Sequence, residues 1–536
     1  MAGTAQGSLL RSNVAVATGT ALSRGTGLVR VAIFGAVLGK SALTDAYNQA
    51  NATPNLIYEL VIGGILSSAL VPLFTQLRHD KDERGEVAVR SVALVVIAGV
   101  TALAVVCAPW LFGLYASATA EGVDLSLYHK VGGTLAAFFL IQIFFYGVNA
   151  LATAELHARK QYFAAAWAPA LSNLVIIGSL LLIPNALGGA TADLGELLAN
   201  DRLRWTLGLG ATAGIAVMAV TLLPSLAKSG APLGFRPAFR DPAVQQLRKL
   251  SGWALGYVAM NQLAIIVVQN LLVRSGEGNQ TAYTNAFTFL MLPHGLLAMS
   301  IVTTFLPEMS QAVAERKRER LIDRTDLGLR LVAMLTIPAG FGLFVLRRPI
   351  IGLALQHGEY TSADALVASR ALAGFALGLG AFSVYLFALR AFYAHHDPRT
   401  AYMINLGENI LNIVLAFALY ERFGVLGIAA AFAIAYVVAA LWTLQILSYK
   451  VPGFPLRPLL AALYRMTLAA AVMAEAAWAV AHAVGGNAGF PALVRVVAAG
   501  TVGIAVYVGL LALLGAPELQ ALRNKFRPAP ASRHDG

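Results

Sequence analysis

Residues 90–115 read RSVALVVIAGVTALAVVCAPWLFGLY, one arginine followed by 25 positions without a charge. An α-helix needs about 20 mostly apolar residues to cross the hydrocarbon core of a bilayer. The run lacks the period-two alternation of a membrane β-strand. Runs of this kind recur along the whole chain. Fourteen are recognisable, from 13–38 and 47–76 through 252–273, 281–311, 364–394 and 400–420 to 491–514. The expected fold class is an all-α polytopic membrane protein with about 14 transmembrane helices.

Composition points the same way. Of 536 residues, 58% are hydrophobic and only 12% are charged, whereas a soluble domain carries about 25% charged residues. Too few charges remain to cover a water-facing surface, so lipid must be the solvent for much of the chain. The single cysteine, Cys107, rules out an internal disulfide and any metal site built on several thiolates. The net charge of +12 would suggest nucleic acid in a soluble protein. Here no nucleic-acid partner is expected, because cytoplasmic loops of membrane proteins collect Lys and Arg. The opening MAGTAQGSLL lacks the charged start and cleavage site of a secretory signal, so the first span is expected to be retained.

The loops after even-numbered spans are the basic ones, with Arg78, Lys81 and Arg84 in one and Arg316, Lys317 and Arg318 in another. That bias predicts a multi-pass protein with both termini in the cytoplasm. Segment 229–250, GAPLGFRPAFRDPAVQQLRKLS, reads as a basic cytoplasmic linker. It can lie on an anionic leaflet or serve as a solvated connector.

The linker separates two stretches that resemble each other. GGILSSALVPLFTQL (63–77) and AMSIVTTFLPEMSQ (298–311) both place a proline after small polar residues. HARKQYFAAAWAPALSNLVIIG (157–178) and HHDPRTAYMINLGENILNIVLA (395–416) place Asn173 and Asn412 239 residues apart, close to the 235 between Pro72 and Pro307. An even-to-even match implies a parallel repeat about an axis along the membrane normal, an arrangement found in transporters. The expected organisation is an N-terminal six-helix bundle (1–228), the linker (229–250), a C-terminal six-helix bundle (251–450), two additional transmembrane helices (451–515) and a disordered cytoplasmic tail (516–536).

Ionisable residues inside spans cost about 2.5–3.5 kcal/mol each on insertion scales, so they default to functional candidates. In the first span, LSRGTGLVRVAIFG holds Arg24 and Arg30 with no carboxylate beside them. Guanidinium matches phosphate bidentately, which suggests an anion; pairing with Glu59 is the structural alternative. Arg370 lies near the end of span 10. Asp45 precedes the second span, where it can cap that helix or act in a site. In NLGENILN, residues Asn405, Glu408, Asn409 and Asn412 fall at i, i+3, i+4 and i+7, one helical face of oxygen-bearing side chains. Asn261 in span 7 can add another. Such a face can bind a hard cation, sodium or a proton in this setting, or supply interhelical hydrogen bonds. No nucleophile elbow, phosphate-cradling loop or metal motif occurs, so no enzyme and no resident cofactor are expected. A membrane glycosyltransferase would need catalytic acids in the first external loop, where only Asp45 lies.

LSRGTGLVRVAIFGAVLG, LTDAYNQANATPNLIYELVIGGILSSALVP and LPHGLLAMSIVTTFLPEMS together resemble the MurJ (MviN) flippases, members of the MOP exporter superfamily, and are most similar in character to actinobacterial members. The resemblance implies a bacterial plasma-membrane protein. Its implied activity is moving lipid II, the undecaprenyl-diphosphate-linked peptidoglycan precursor, from the inner to the outer leaflet by alternating access. The alternative is a multidrug or polysaccharide exporter of the same fold. Partners implied are lipid II, membrane lipids and other cell-wall synthesis proteins. By the same resemblance Ser23, Arg24, Arg30, Asp45 and Asn55 match substrate-site positions, with Glu59 and Arg370 added as candidates from the residues themselves. The pattern departs at Val31, at Tyr58-Glu59 and at Thr288, where the family carries an acid, an arginine and an arginine; these changes thin the expected positive charge.

Overall fold

The computed structural model describes residues 2–58, 66–232, 234–250, 252–394 and 397–518. Among them the chain is helical, with no strand. Eleven helical stretches are long and apolar enough to cross a membrane. A twelfth is formed if Ser362–Ala376 and Leu379–Tyr393, bent by 47° at their junction, make one span. The expected spans near 47–76 and 252–273 fall where residues 59–65 and 251 lie outside the description, and Met260–Arg274 is a shorter apolar helix. The all-α polytopic class stands.

The chain divides into two compact units, Met1–Asn285 with Ala354–Val367, and Ala286–Leu353 with Ala368–Gly536. The first half of the chain contributes α1 (Ala2–Leu38), α2 (Ala42–Tyr58), α3 (Leu66–His79), α4 (Glu83–Val106), α5 (Ala108–Gly113), α6 (Leu125–Leu140), α7 (Gln142–Ala158), α8 (Phe163–Leu181), α9 (Ile183–Leu187), α10 (Leu194–Ala199), α11 (Asp201–Val220), α12 (Leu223–Lys228), α13 (Pro242–Leu250) and α14 (Gly252–Arg274). The rest is α15 (Asn279–Pro293), a π-turn (His294–Ala298), α16 (Met299–Ala314), α17 (Arg318–Leu355), α18 (Ser362–Ala376), α19 (Leu379–Ala394), α20 (Pro398–Phe423), α21 (Val425–Lys450), α22 (Leu456–Val484) and α23 (Gly489–Leu513).

Local sequence sets the helix ends. Asp82 starts α4 by accepting from the Gly85 amide at 2.9 Å, and Asp124 starts α6 by accepting from Ser126 and Leu127. These carboxylates satisfy amides that have no partner within their own helix. Gly424, at φ 54°, is the whole break between α20 and α21. That left-handed conformation is open to glycine at no steric cost, and the two helices pack along their length as a hairpin. The break between α18 and α19 falls at Gly378, where a Cβ would lie 2.7 Å from the Ala433 backbone of α21.

In the first unit, Phe34, Tyr47 and Phe139 form a buried aromatic chain with centroid spacings of 5.0 Å. The second is centred on Phe375, Phe382, Phe432 and Tyr436. Large apolar side chains such as Leu103, Val106 and Trp110 remain exposed, as expected of a surface solvated by lipid rather than water.

One buried feature holds α4 to α7. Arg90 pairs with Glu155 at 3.0 Å, and Arg159 pairs with Glu86 at 2.8 Å. Arg159 also donates to the Glu155 backbone carbonyl at 3.2 Å. All four side chains are at most 10% exposed. The arginines and glutamates neutralise one another where water is excluded. Arg159, which follows the last residue of α7, is thus buried by the fold. At the far end of the chain, Glu518 is buried and accepts from Arg330 at 3.0 Å. The proposed tail is thus held at its start, and residues 519–536 lie outside the description.

Removing one partner of a buried pair strands the other charge and costs about 3–5 kcal/mol, whereas replacing both with apolar residues is often neutral. Arg159→Ala should therefore lower the unfolding midpoint in detergent markedly. Arg159→Leu combined with Glu86→Leu should recover most of the loss. An unchanged midpoint in the single variant would remove this cluster from the account of stability.

Candidate functional site

The first span is straightforward to place. α1 packs on α8, and Asn173 of α8 donates to the Ser23 carbonyl at 3.1 Å and to Thr26 Oγ1 at 3.0 Å. Ser23 is half-buried and Arg24 is exposed. Arg30 is half-buried and within electrostatic reach of the Tyr47 hydroxyl. Among the described residues neither arginine is in an ion pair. Glu59, the proposed structural partner, lies outside the described residues, as do His395 and His396. Asn173, in the sequence only a marker of the repeat, is therefore a neighbour of the span-1 candidates. Its pairing with Asn412 was the available signal.

Asp45 acts differently from a cap on its own helix. Ser41 and Thr44 take that role, exchanging backbone and hydroxyl hydrogen bonds at 2.9 and 3.3 Å. The buried Asp45 carboxylate instead accepts from the Gly278 amide at 2.7 Å, and from the Thr281 amide and hydroxyl at 2.8 Å each. These groups form the start of α15, so a residue of α2 supplies the N-terminal cap of a helix more than 230 positions away. A carboxylate there also meets the positive end of the helix dipole. Around it, Asn48 donates to Thr281 Oγ1 at 3.0 Å, the Ala42 amide donates to Glu277 Oε1 at 3.0 Å, and Lys40 donates to the Glu277 carbonyl. On the other side of the same corner, the Glu359 amide donates to the Ala36 carbonyl at 2.9 Å. Gly358, at φ 57°, lets that loop approach; a Cβ there would sit 2.2 Å from the Ala36 oxygen. The result is a clasp on the α1–α2 corner. Pro54 is buried in α2 and Asn55 beside it is exposed.

The polar stripe of α20 belongs to the second unit. Asn405, Glu408, Asn409 and Asn412 are all buried. Asn409 donates to the Asn405 carbonyl at 2.8 Å, and Asn405 reaches the Tyr385 hydroxyl at 3.5 Å. Asn405 Oδ1, Glu408 Oε2 and Asn412 Oδ1 are buried oxygens without a hydrogen-bond donor. That donor-poor set of oxygens fits a hard cation or a proton. The stripe is positioned from its start by Asp397, which caps α20 through Thr400 and pairs with Lys450 at the end of α21. The Lys450 ammonium holds the Asp397 carboxyl below its usual range. Asn261 lies on α14 in the first unit, half-buried, and Arg370 is an exposed residue of α18 in the second.

The fold is one shared with solved membrane transporters. It matches a lipid II flippase MurJ in an inward closed conformation with a TM-score of 0.76, covering 96% of this chain and 100% of that one at 21% identity. It also matches an inward-facing multidrug resistance MATE family transporter with a TM-score of 0.65, covering 80% and 95% at 14% identity.

Sequence then separates the branches. The family model described as lipid II flippase MurJ matches residues 34–497, and the chain belongs to that family. The probable lipid II flippase MurJ of Rhizobium meliloti is 27% identical over 475 residues, 88% of this chain and 86% of that one. The probable lipid II flippase MurJ of Thermotoga maritima is 25% identical over 529 residues, 97% and 99% of the two chains. Asp45 and Asn55 fall inside the matched family region; Ser23, Arg24 and Arg30 precede it.

Leaving a buried donor unsatisfied costs about 1–3 kcal/mol. Asp45→Ala should therefore speed hydrogen exchange at the Gly278 and Thr281 amides by roughly ten- to a hundred-fold. Asp45→Asn, which keeps one acceptor oxygen, should fall between. Exchange in Asp45→Ala equal to the parent protein would show that the clasp does not hold the start of α15.

Proposed function

We propose that this protein is a lipid flippase that moves lipid II from the inner to the outer leaflet of the bacterial plasma membrane by alternating access. The observation that carries the reading is the family match over residues 34–497. Arg24 and Arg30 support it: two guanidiniums inside an apolar span, outside any ion pair among the described residues, suit a diphosphate that brings its own negative charge. The work is transport, with no bond made or broken. Lipid II and the surrounding lipids are the partners, with other cell-wall synthesis proteins a further expectation. Both termini face the cytoplasm, on the strength of the basic loops.

In this reading the Asp45 clasp is a contact that breaks and re-forms as α1–α2 and α14–α15 exchange conformations. The stripe from Asn405 to Asn412 binds sodium or a proton and biases that equilibrium, which requires that the two states differ in ion affinity. Buried oxygens without donors support this reading.

A flipping assay in proteoliposomes with lipid II, run beside a drug-efflux assay, separates the flippase from an exporter of the same fold. Arg24→Ala and Arg30→Ala should abolish lipid II movement while the protein still reaches the membrane. Lysine at either position should restore it only in part, because an ammonium lacks the planar fork. Full flipping with both arginines changed to Ala would remove them from substrate binding. Drug efflux without lipid II movement would overturn the reading itself. In the same assay Glu408→Gln should lose the dependence on sodium or pH; retained dependence would leave the stripe as interhelical packing.

A further inference from the structure

The connector between α12 and α13 contains GFRPAFRD at 234–241, in which Phe-Arg occurs twice, four residues apart. The arrangement is unusual for a solvated linker because its backbone is fixed while its aromatic side chains are not buried. Arg90, one of the four buried charges, donates to the Pro232 carbonyl. The Arg236 amide donates to Ser91 Oγ at 2.8 Å. Asp241 starts α13 by accepting from the Ala243 amide at 3.0 Å. Ala243 is itself buried in the core of the first unit, with Val244 and Leu247 packed against it. Between these attachments Phe235 stays 66% exposed and Phe239 55% exposed, and Arg236 and Arg240 are exposed beside them.

The depth of the attachment says what covers them. The strap is tied to α4 at Arg90 and Ser91, two turns in from the start of a 24-residue membrane-crossing helix. Such a helix is about 36 Å long at 1.5 Å per residue, against a hydrocarbon core of about 30 Å. Arg90 is also the last charge before the 25 uncharged positions 91–115, more than the about 20 a crossing needs, so this level is the boundary between head groups and acyl chains. It is at the basic end, since Arg78, Lys81 and Arg84 lie in and around the turn from α3 to α4. A phenyl ring at that level gains by entering the acyl region, and a guanidinium beside it gains by meeting a lipid phosphate.

We propose that residues 234–241 form a membrane-surface anchor for anionic phospholipid, with Phe235 and Phe239 inserted at the acyl boundary and Arg236 and Arg240 on the phosphates. The anchor concerns the lipid around the protein and does not depend on what the protein transports. Because the strap is bonded to Arg90, lipid composition would act directly on the buried charge cluster that joins α4 to α7.

The test places a reporter in the strap. The full chain carrying Cys107→Ala and Pro237→Cys is labelled with the polarity-sensitive dye NBD and reconstituted into vesicles of phosphatidylcholine, with or without phosphatidylglycerol. Folding is checked by size-exclusion elution before reconstitution. The expected result is blue-shifted emission, quenched by phosphatidylcholine brominated near the head group, with quenching stronger in the phosphatidylglycerol vesicles. Each basic residue near an anionic surface shifts partitioning about five-fold, so Arg236→Gln with Arg240→Gln should remove a preference of roughly thirty-fold. Phe235→Ser with Phe239→Ser should abolish quenching in both vesicles. Emission as in water, or quenching indifferent to phosphatidylglycerol in the parent strap, would overturn the proposal.

Discussion

Neutralising charge away from water is the constraint on which this structure depends. Arg90, Glu155, Arg159 and Glu86 are held where neither water nor lipid can solvate them, and each survives there because an opposite charge meets it. The cluster does more than balance itself. It joins α4 to α7, and through the Pro232 carbonyl it fixes the path of the connector that leaves α12. The same requirement makes the span-1 arginines stand out. Arg24 and Arg30 carry charge into an apolar helix with no ion pair among the described residues. The buried cluster closes its charges within the protein, whereas the span-1 arginines meet no opposite charge among the described residues.

The distinction extends to polar groups without charge. Asp45 commits both carboxylate oxygens to one helix start, taking three donors at 2.7–2.8 Å. The α20 stripe does the reverse, leaving three buried oxygens without donors. A satisfied carboxylate fastens two elements, and oxygens without donors do not. Both are buried in the helical interior. Their energetic weight is large there, because the interior offers few alternative partners.

Glycine supplies the close approaches that make these contacts reachable. Gly358 brings its loop against the α1 end, and Gly424 folds α20 back along α21. In both places the backbone adopts a left-handed conformation that a side chain would strain.

Much of this was legible from residues alone. Length and apolarity of runs such as 91–115 determine a helical membrane protein, because only a helix can satisfy its backbone within a single segment in lipid. Span-1 arginines, the α20 face and the family resemblance could be read the same way, since helical periodicity and motif spacing are local properties. The partners of Asp45, the burial of Arg159 and the fixed path of 234–241 could not. Each is a contact between segments far apart in sequence, the first across more than 230 positions. Sequence determined which groups needed partners; only the tertiary structure decided which partners they met, because a charge's surroundings are set by packing and not by its neighbours in the chain.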